Sequence, residues 1–355
     1  MKNLIITAAG LSSRFEGLKP KWMLTHPSGN WMLVESLNKL NFDDIDNIYF
    51  GFLKEHLEEY NCLDGIRLCI EELGITDKAE IVVLPERTKN QPHTVYSIIK
   101  SASIEGQIII KEIDNTFTYP IQDGNYMCYY DLNLVDSINP SNKSYIEIGE
   151  NGLISSIVEK QVISSTFGCG SYSFGSSEVF CDYFDKLSEE ENLYLSHIIG
   201  YMINDGFEFL PVLVSEYVDW GTKEDWFSFV RNYRTLFVDL DGTLVESSGK
   251  YIPPYWGDTN AITENVNFLN SLYDTGKVYI IITTSRSSKG KWKSKTLQQL
   301  AKEKIKYHDI IFDLPHCSRT IINDYGSSNP YPTCDAVNIV RNSTELIRFV
   351  RDLGK

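Results

Sequence analysis

The segment Phe237-Val-Asp239-Leu-Asp241-Gly242-Thr243 places two carboxylates two residues apart where an apolar run gives way to a glycine turn. If the run is a strand, both side chains point to one side, and the glycine lets the chain bend sharply behind them. One aspartate can then serve as nucleophile and the other as acid and base. A different arrangement opens the chain. Leu4-Ile-Ile-Thr-Ala-Ala-Gly10-Leu-Ser-Ser-Arg14-Phe is an apolar run entering a loop of small residues with a cation at its end, followed by Lys19-Pro-Lys21. Small residues let backbone N–H groups turn toward a polyphosphate, and Arg14 with Lys21 can neutralise its charge. Asp114, just past the apolar run 108–113, and Asp219, in Val218-Asp-Trp-Gly-Thr222, are strand-end carboxylates from remote segments. Together they can hold one Mg2+, or Mn2+ in its place, a cation that takes carboxylates, waters and phosphate oxygens. The alternative is that each merely caps a turn or helix.

These residues need strands to carry them. Apolar runs at 3–8, 45–51, 79–84, 107–110 and 145–148 alternate with helix-length segments such as 31–40 and 94–102, which implies an α/β layer with a mostly parallel sheet. Further short strands are expected at 154–160, 168–174 and 207–214. The rhythm restarts at Arg234: strand, helix 261–275, strand 278–283, helix 294–304, then strands 309–312 and 319–323 form a second, smaller α/β unit.

The 355 residues exceed one average domain, and 42% hydrophobic residues with 12 prolines describe an ordinary folded protein. No apolar run approaches the ~18–20 residues that cross a bilayer, and the short run after Met1 meets Arg14 too soon to be a signal peptide. Seven cysteines form no C-x-x-C pair and no zinc spacing, so free thiols in a reducing cytoplasm are expected. The net charge of −15 argues against nucleic acid as a partner. It is unevenly spread: from residue 231 onward there are 17 Lys+Arg against 13 Asp+Glu, and before it 16 against 35. That asymmetry supports domains at 1–230 and 231–355. The lysine run from 289 to 306 reads as a solvated helix face.

With these pieces in order, residues 1–228 resemble the sugar-1-phosphate nucleotidyltransferase superfamily. The matching motifs are Ala8-Ala-Gly-Leu-Ser-Ser-Arg-Phe with Pro20-Lys21, Asp114-Asn115, Val158-Glu-Lys160, Gly168-Cys-Gly-Ser-Tyr172 and Val218-Asp-Trp-Gly-Thr222. The resemblance implies that Gly10, Ser12, Arg14 and Lys21, with Ser13 beside them, hold a nucleoside triphosphate. It also implies that Asp114 and Asp219 bind the metal, and that Glu159 and Lys160 reach a sugar or polyol phosphate. Where the family approaches the base with a Gly-Thr-Ala stretch, this chain has Gln91-Pro-His93-Thr94, which leaves Gln91 or nearby backbone to read the base. His93 is read as a packed or solvent-facing residue. CTP is favoured from overall likeness to cytidylyl members, with UTP and GTP open.

The Asp-x-Asp-Gly-Thr segment resembles the haloacid dehalogenase-like (HAD-like) phosphotransferases. That likeness implies Asp239 as nucleophile, Asp241 as proton carrier, Thr284 on a phosphate oxygen, and Asp239, Asp241 and Asp324 around Mg2+. The family's phosphate-binding lysine has no evident counterpart, since Leu314-Pro-His stands where it is expected; Arg286, Lys295 and Arg319 all remain candidates. The segment from Asn323 resembles stand-alone phosphatases associated with capsular polysaccharide synthesis.

The expected architecture is thus α/β in two domains, each a mostly parallel sheet flanked by helices: a nucleotidyltransferase fold, then a Rossmannoid HAD-like fold without a cap. The expected activity is bifunctional, with nucleotidyl transfer from an NTP and hydrolysis of a phosphate monoester, for surface-glycan precursors. A phosphatase carrying a non-catalytic nucleotide-sugar-binding domain is the competing reading. No membrane partner is expected, and homo-oligomerisation is left open.

Overall fold

The computed structural model describes all residues except 11–12, 136–138, 191, 325–333 and 352–355. The chain divides into two compact units, Met1–Trp226 and Phe227–Lys355.

The first unit holds β1 (Lys2–Thr7), β2 (Asn47–Leu53), β3 (Ala79–Leu84), β4 (Gln107–Lys111), β5 (Asn115–Thr118), β6 (Tyr126–Asp131), β7 (Ser144–Ile148), β8 (Ile154–Glu159), β9 (Thr166–Phe174), β10 (Leu210–Leu213) and β11 (Ser215–Asp219). Nine of them make one sheet, ordered β10-β6-β9-β4-β1-β2-β3, with β7 bridging β8 and β9. The run β3-β2-β1-β4 is parallel, and β9 joins β4 antiparallel. Parallel neighbours need crossovers, which helices Lys54–Tyr60, Leu63–Glu72 and Gln91–Ala102 supply.

Alternation decides which side chain meets which layer. Leu4 and Ile6 of β1 and Ile109 of β4 enter a cluster with Phe50 and Phe52, while Ile5, Ile108 and Ile110 enter another with Val95, Ile98, Phe180 and Ile198. Both faces are covered, so these central strands read as unbroken apolar runs. Each fully buried isoleucine contributes about 1.5–3 kcal/mol. The helix Gln91–Ala102 begins earlier than the apolar pattern suggested, because Asn90 caps it through Oδ1 to His93 N (2.9 Å) and Pro92 is tolerated in the first turn.

The second unit contains β12 (Arg234–Asp239), β13 (Val278–Thr283) and β14 (Asp309–Ile311), parallel and in that order. Helices Thr263–Asp274 and Lys291–Lys302 accompany them, and Val238, Leu240, Val266, Leu269, Ile280, Ile282 and Leu300 form the core. The strand expected at 319–323 is not formed. Ile321 and Ile322 are 49% and 92% exposed, so the apolar pair that suggested a strand has no layer to pack on. All seven cysteines are free, with Cys317 and Cys334 exposed. Among the described residues no helix is long and apolar enough to cross a membrane.

Candidate active sites

In the first unit the site begins with two anchors. Phe15 and Trp22 are each 1% exposed and fix the loop after β1 into the core. Their chain neighbours Arg14 and Lys21 are thereby set beyond the C-terminal end of β1. Both cations meet Asp114: Lys21 Nζ is 2.6 Å and Arg14 Nη2 3.6 Å from its Oδ2. Gly10 sits in open space at the loop's start. Ser12 lies outside the described residues, and Ser13 opens the short turn Ser13–Phe15.

Asp114 lies between β4 and β5, and Asp219 ends β11. The antiparallel pairing of β5 with β11 puts Asp219 opposite Asn115, and Trp220 N donates to Asp114 O at 2.7 Å. This ladder joins the two carboxylates. A Cβ on Gly221 would lie 3.1 Å from Asp219 Oδ1, 3.7 Å from Asp114 Oδ2 and 3.8 Å from Arg14 Nη1. Any larger residue would therefore fill the space that the three groups share.

The electrostatics follow from burial and pairing. Desolvation works against the Asp114 carboxylate, but the charges of Lys21 and Arg14 and the Lys21 hydrogen bond hold its pKa well below the usual carboxylate range. Asp219 is pushed up by burial, against the opposing pull of Lys143, whose Nζ is 2.7 Å from Oδ2. Glu112 is raised by burial and by Asp114, and accepts a 3.0 Å hydrogen bond from Gln91 Nε2. Lys111 is wholly buried, and burial lowers it to about 8. Its three donors go to Glu112 O, Asn115 O and Asn115 Oδ1 at 2.6, 3.0 and 2.6 Å. With its carbonyl so held, the Asn115 amide turns its N–H toward Asp114 Oδ1 at 3.2 Å.

Glu159 ends β8, and its Oε2 accepts from Ser144 Oγ (2.5 Å) and Ser196 Oγ (2.6 Å). Lys160 hydrogen-bonds the Tyr194 hydroxyl and lies over that ring. These two residues connect to the carboxylate pair through Lys143 and Ser144: Lys160 N donates to Lys143 O at 2.9 Å, while the Lys143 side chain reaches Asp219 and Tyr217 Oη. Sequence reasoning missed Lys143 and Glu112. Glu112 carried a signal, since it stands two before Asp114; Lys143 carried none, lying in a polar segment without a motif. His93 stacks on Phe184, with ring centroids 5.7 Å apart.

Two buried carboxylates facing one small gap suit Mg2+, which binds through one or two carboxylates and keeps other positions for water and phosphate. Gly221 leaves that gap clear, so the donor set fits the ion.

In the second unit β12 delivers Asp239, whose register neighbour is Thr283. Arg319 Nη1 stands 2.8 Å from Asp239 Oδ1 and 3.3 Å from Thr283 Oγ1. Asp241 follows, and Gly242 turns at φ +87°, its O accepting from Asn342 N at 2.7 Å. Arg286 grips both oxygens of Asp241 at 2.8 Å. Arg286, read from the sequence as a candidate substrate-binding cation, is completely buried, with its guanidinium engaged inside the protein. Thr284 is also inside, 1% exposed, with Oγ1 accepting from Arg286 N at 3.1 Å, and the hydroxyl beside Asp239 belongs to Thr283. Lys295 pairs with Asp258 at 3.0 Å. Asp324 is exposed. Asp239, Asp241 and Asp324 are the carboxylates read from the sequence as metal ligands, and among the described residues no three His, Cys, Asp or Glu stand together. Arginines pair with the first two carboxylates.

Neither a family model nor a curated protein matches the sequence. Solved structures do match the fold. A nucleoside-diphosphate-sugar pyrophosphorylase from Vibrio cholerae RC9 is 19% identical with a TM-score of 0.54, over 64% of this chain and 99% of the other. An inositol-1-phosphate CTP transferase from T. maritima is 13% identical with a TM-score of 0.51, over 63% and 90%. The first unit alone would fill that share of the chain. At such identities the likeness is one of fold: a mixed α/β nucleotidyltransferase fold, with its central sheet flanked by helices.

Proposed function

We propose that the first unit transfers a nucleotidyl group from an NTP to a sugar or polyol phosphate, releasing pyrophosphate. The observation that carries this is the meeting of Asp114, Asp219 and Arg14 around Gly221, with Lys21 on Asp114. Mg2+ held by Asp114 and Asp219 would supply charge neutralisation at the triphosphate. Arg14 and Lys21 supply further positive charge to the α-phosphate and the departing pyrophosphate. A phosphate monoester carries close to two negative charges at neutral pH, its second pKa being about 6. Its oxygen therefore attacks the α-phosphorus without a general base, and positioning carries the rate. Lys160, beside Glu159, Lys143 and Ser144, steers that acceptor. Gln91, set against Glu112 at the start of its helix, reads the base. CTP is our first choice, supported by the fold shared with a CTP transferase.

The second unit, in this reading, hydrolyses a phosphate monoester. Asp239 displaces the alcohol from phosphorus, forming an acyl phosphate that water then cleaves, and Asp241 gives the proton to the alcohol and takes one from the water. Arg319 is the cation beside the nucleophile. The pair of activities suits synthesis of surface-polysaccharide precursors in the cytoplasm.

The test is pyrophosphate release from each of four NTPs with pooled sugar and polyol phosphates. Release with one NTP, lost in Asp114→Asn, supports the reading; no release with any pair, while Asp239-dependent phosphate release persists, sinks it.

A further inference from the structure

Arg286 has five N–H donors, and all are accounted for. Nε donates to Asp241 Oδ2 at 2.8 Å; Nη2 donates to Asp241 Oδ1 at 2.8 Å and Ser248 Oγ at 3.2 Å. Nη1 donates to Gln299 Oε1 at 2.7 Å and Thr296 Oγ1 at 3.3 Å. The acceptors are themselves fixed. Gln299 Nε2 donates to Thr259 O and Oγ1 at 2.6 and 3.1 Å, so its carbonyl oxygen must face Arg286. Thr296 Oγ1 donates to Trp292 O at 2.9 Å, and Ser248 Oγ donates to Asp241 Oδ1 at 2.7 Å. The network is closed, and a guanidinium with 0% exposure has no donor left for a ligand. A bidentate fork of this kind fixes the plane of a carboxylate, which a single lysine contact does not. Arg319 is the contrast: its side chain is 41% exposed and engages Asp239 through Nη1 alone among the described residues.

We propose that Arg286 is a positioning residue, which locks the Asp241 carboxylate in place through the network of Ser248, Thr296 and Gln299 and takes no part in holding the phosphoryl group. This rests on the phosphatase reading of the second unit. It assigns the three candidate cations different tasks: Arg286 orients Asp241, Arg319 faces the anion, and Lys295 serves the surface pair with Asp258.

The experiment uses the full chain and two readouts, hydrolysis of p-nitrophenyl phosphate and calorimetric titration with inorganic phosphate. Arg286→Lys is expected to lower kcat about thirtyfold with KM and phosphate affinity within about threefold, because the orienting fork is lost but the anion site is not. Ser248→Ala is expected to lower kcat several-fold in the same pattern. In an Asp241→Asn background Arg286→Lys costs no more than about twofold further, since the two act as a unit. Arg319→Gln weakens phosphate about tenfold or more. Tenfold weaker phosphate binding in Arg286→Lys, or full additivity with Asp241→Asn, overturns the proposal. If Arg286→Lys does not fold, Ser248→Ala decides: a kcat equal to wild type, or a loss seen in KM alone, overturns it. A wild-type chain that binds phosphate without any turnover sinks the phosphatase reading, and the titration then still decides whether Arg286 belongs to the anion site. A wild-type chain that binds no phosphate overturns both.

Discussion

Gly221 has no side chain, and that absence matters most where Asp219, Asp114 and Arg14 all approach the position that a Cβ would take. Gly221→Val is expected to lower nucleotidyl transfer at least a hundredfold while leaving the melting temperature within a few degrees, measured by pyrophosphate release and calorimetry. A loss of folding with retained specific activity would contradict this. His56, which lines a hollow with Phe15, Leu18 and Pro20 of the loop after β1, offers a separate test, one of stability. It is buried with Nδ1 unpartnered among the described residues, and burial lowers its pKa from the ordinary value. The unfolded chain then binds the proton more readily, so stability is full above the ordinary histidine pKa of about 6.5 and falls as pH drops below it. His56→Leu should flatten that slope in urea titrations at pH 5 and pH 7.5.

At the scale of elements, the loop between β1 and the helix Met32–Leu37 works because its aromatic anchors alternate with its cations. Trp22 packs against Phe52 at 4.8 Å and Trp31 at 5.7 Å between centroids, yet its Nε1 is buried without a partner among the described residues. Trp22→Phe should therefore be nearly neutral, whereas Trp22→Ala should cost about 3–5 kcal/mol and raise the KM for NTP by displacing Lys21, read from denaturant melts and kinetics. Much of this architecture was legible. β3 and β13 match the apolar runs 79–84 and 278–283, in which Val82, Leu84, Ile280 and Ile282 supply a buried face while Val83 and Tyr279 on the other face stay exposed. The ladder of β5 and β11 was not legible, since pairing between remote, short, mixed segments leaves no local pattern. Arg14, Lys21, Asp114 and Asp219 were readable from type and order, but Lys143 was invisible because only the fold brings it to Asp219. Conversely, Arg286 was conspicuous in sequence, yet burial commits it to Asp241.

For the whole molecule, each unit has its own core, and that of the second, built around Leu240, Ile280 and Ile282, is the smaller. Calorimetry of the intact chain is expected to show two transitions, with the second unit melting first, because a smaller core leaves less burial to offset chain entropy. Inorganic phosphate should shift only the lower transition and NTP with magnesium only the upper one. A single transition moved by both ligands would show that the cores unfold as one. The uneven charge between the two parts has a physical counterpart here, since anionic ligands approach a more positive second unit than first.

The pairing of Asp219 with Asn115 joins residues about a hundred positions apart. During synthesis on a ribosome, the loop after β1 and Asp114 emerge long before the strand that supplies the other carboxylate. On the proposed function, a nascent chain stalled anywhere before residue 219 carries Arg14 and Lys21 without a complete acidic pair, and it would stay unable to act on triphosphates until nearly the whole first unit has left the exit tunnel.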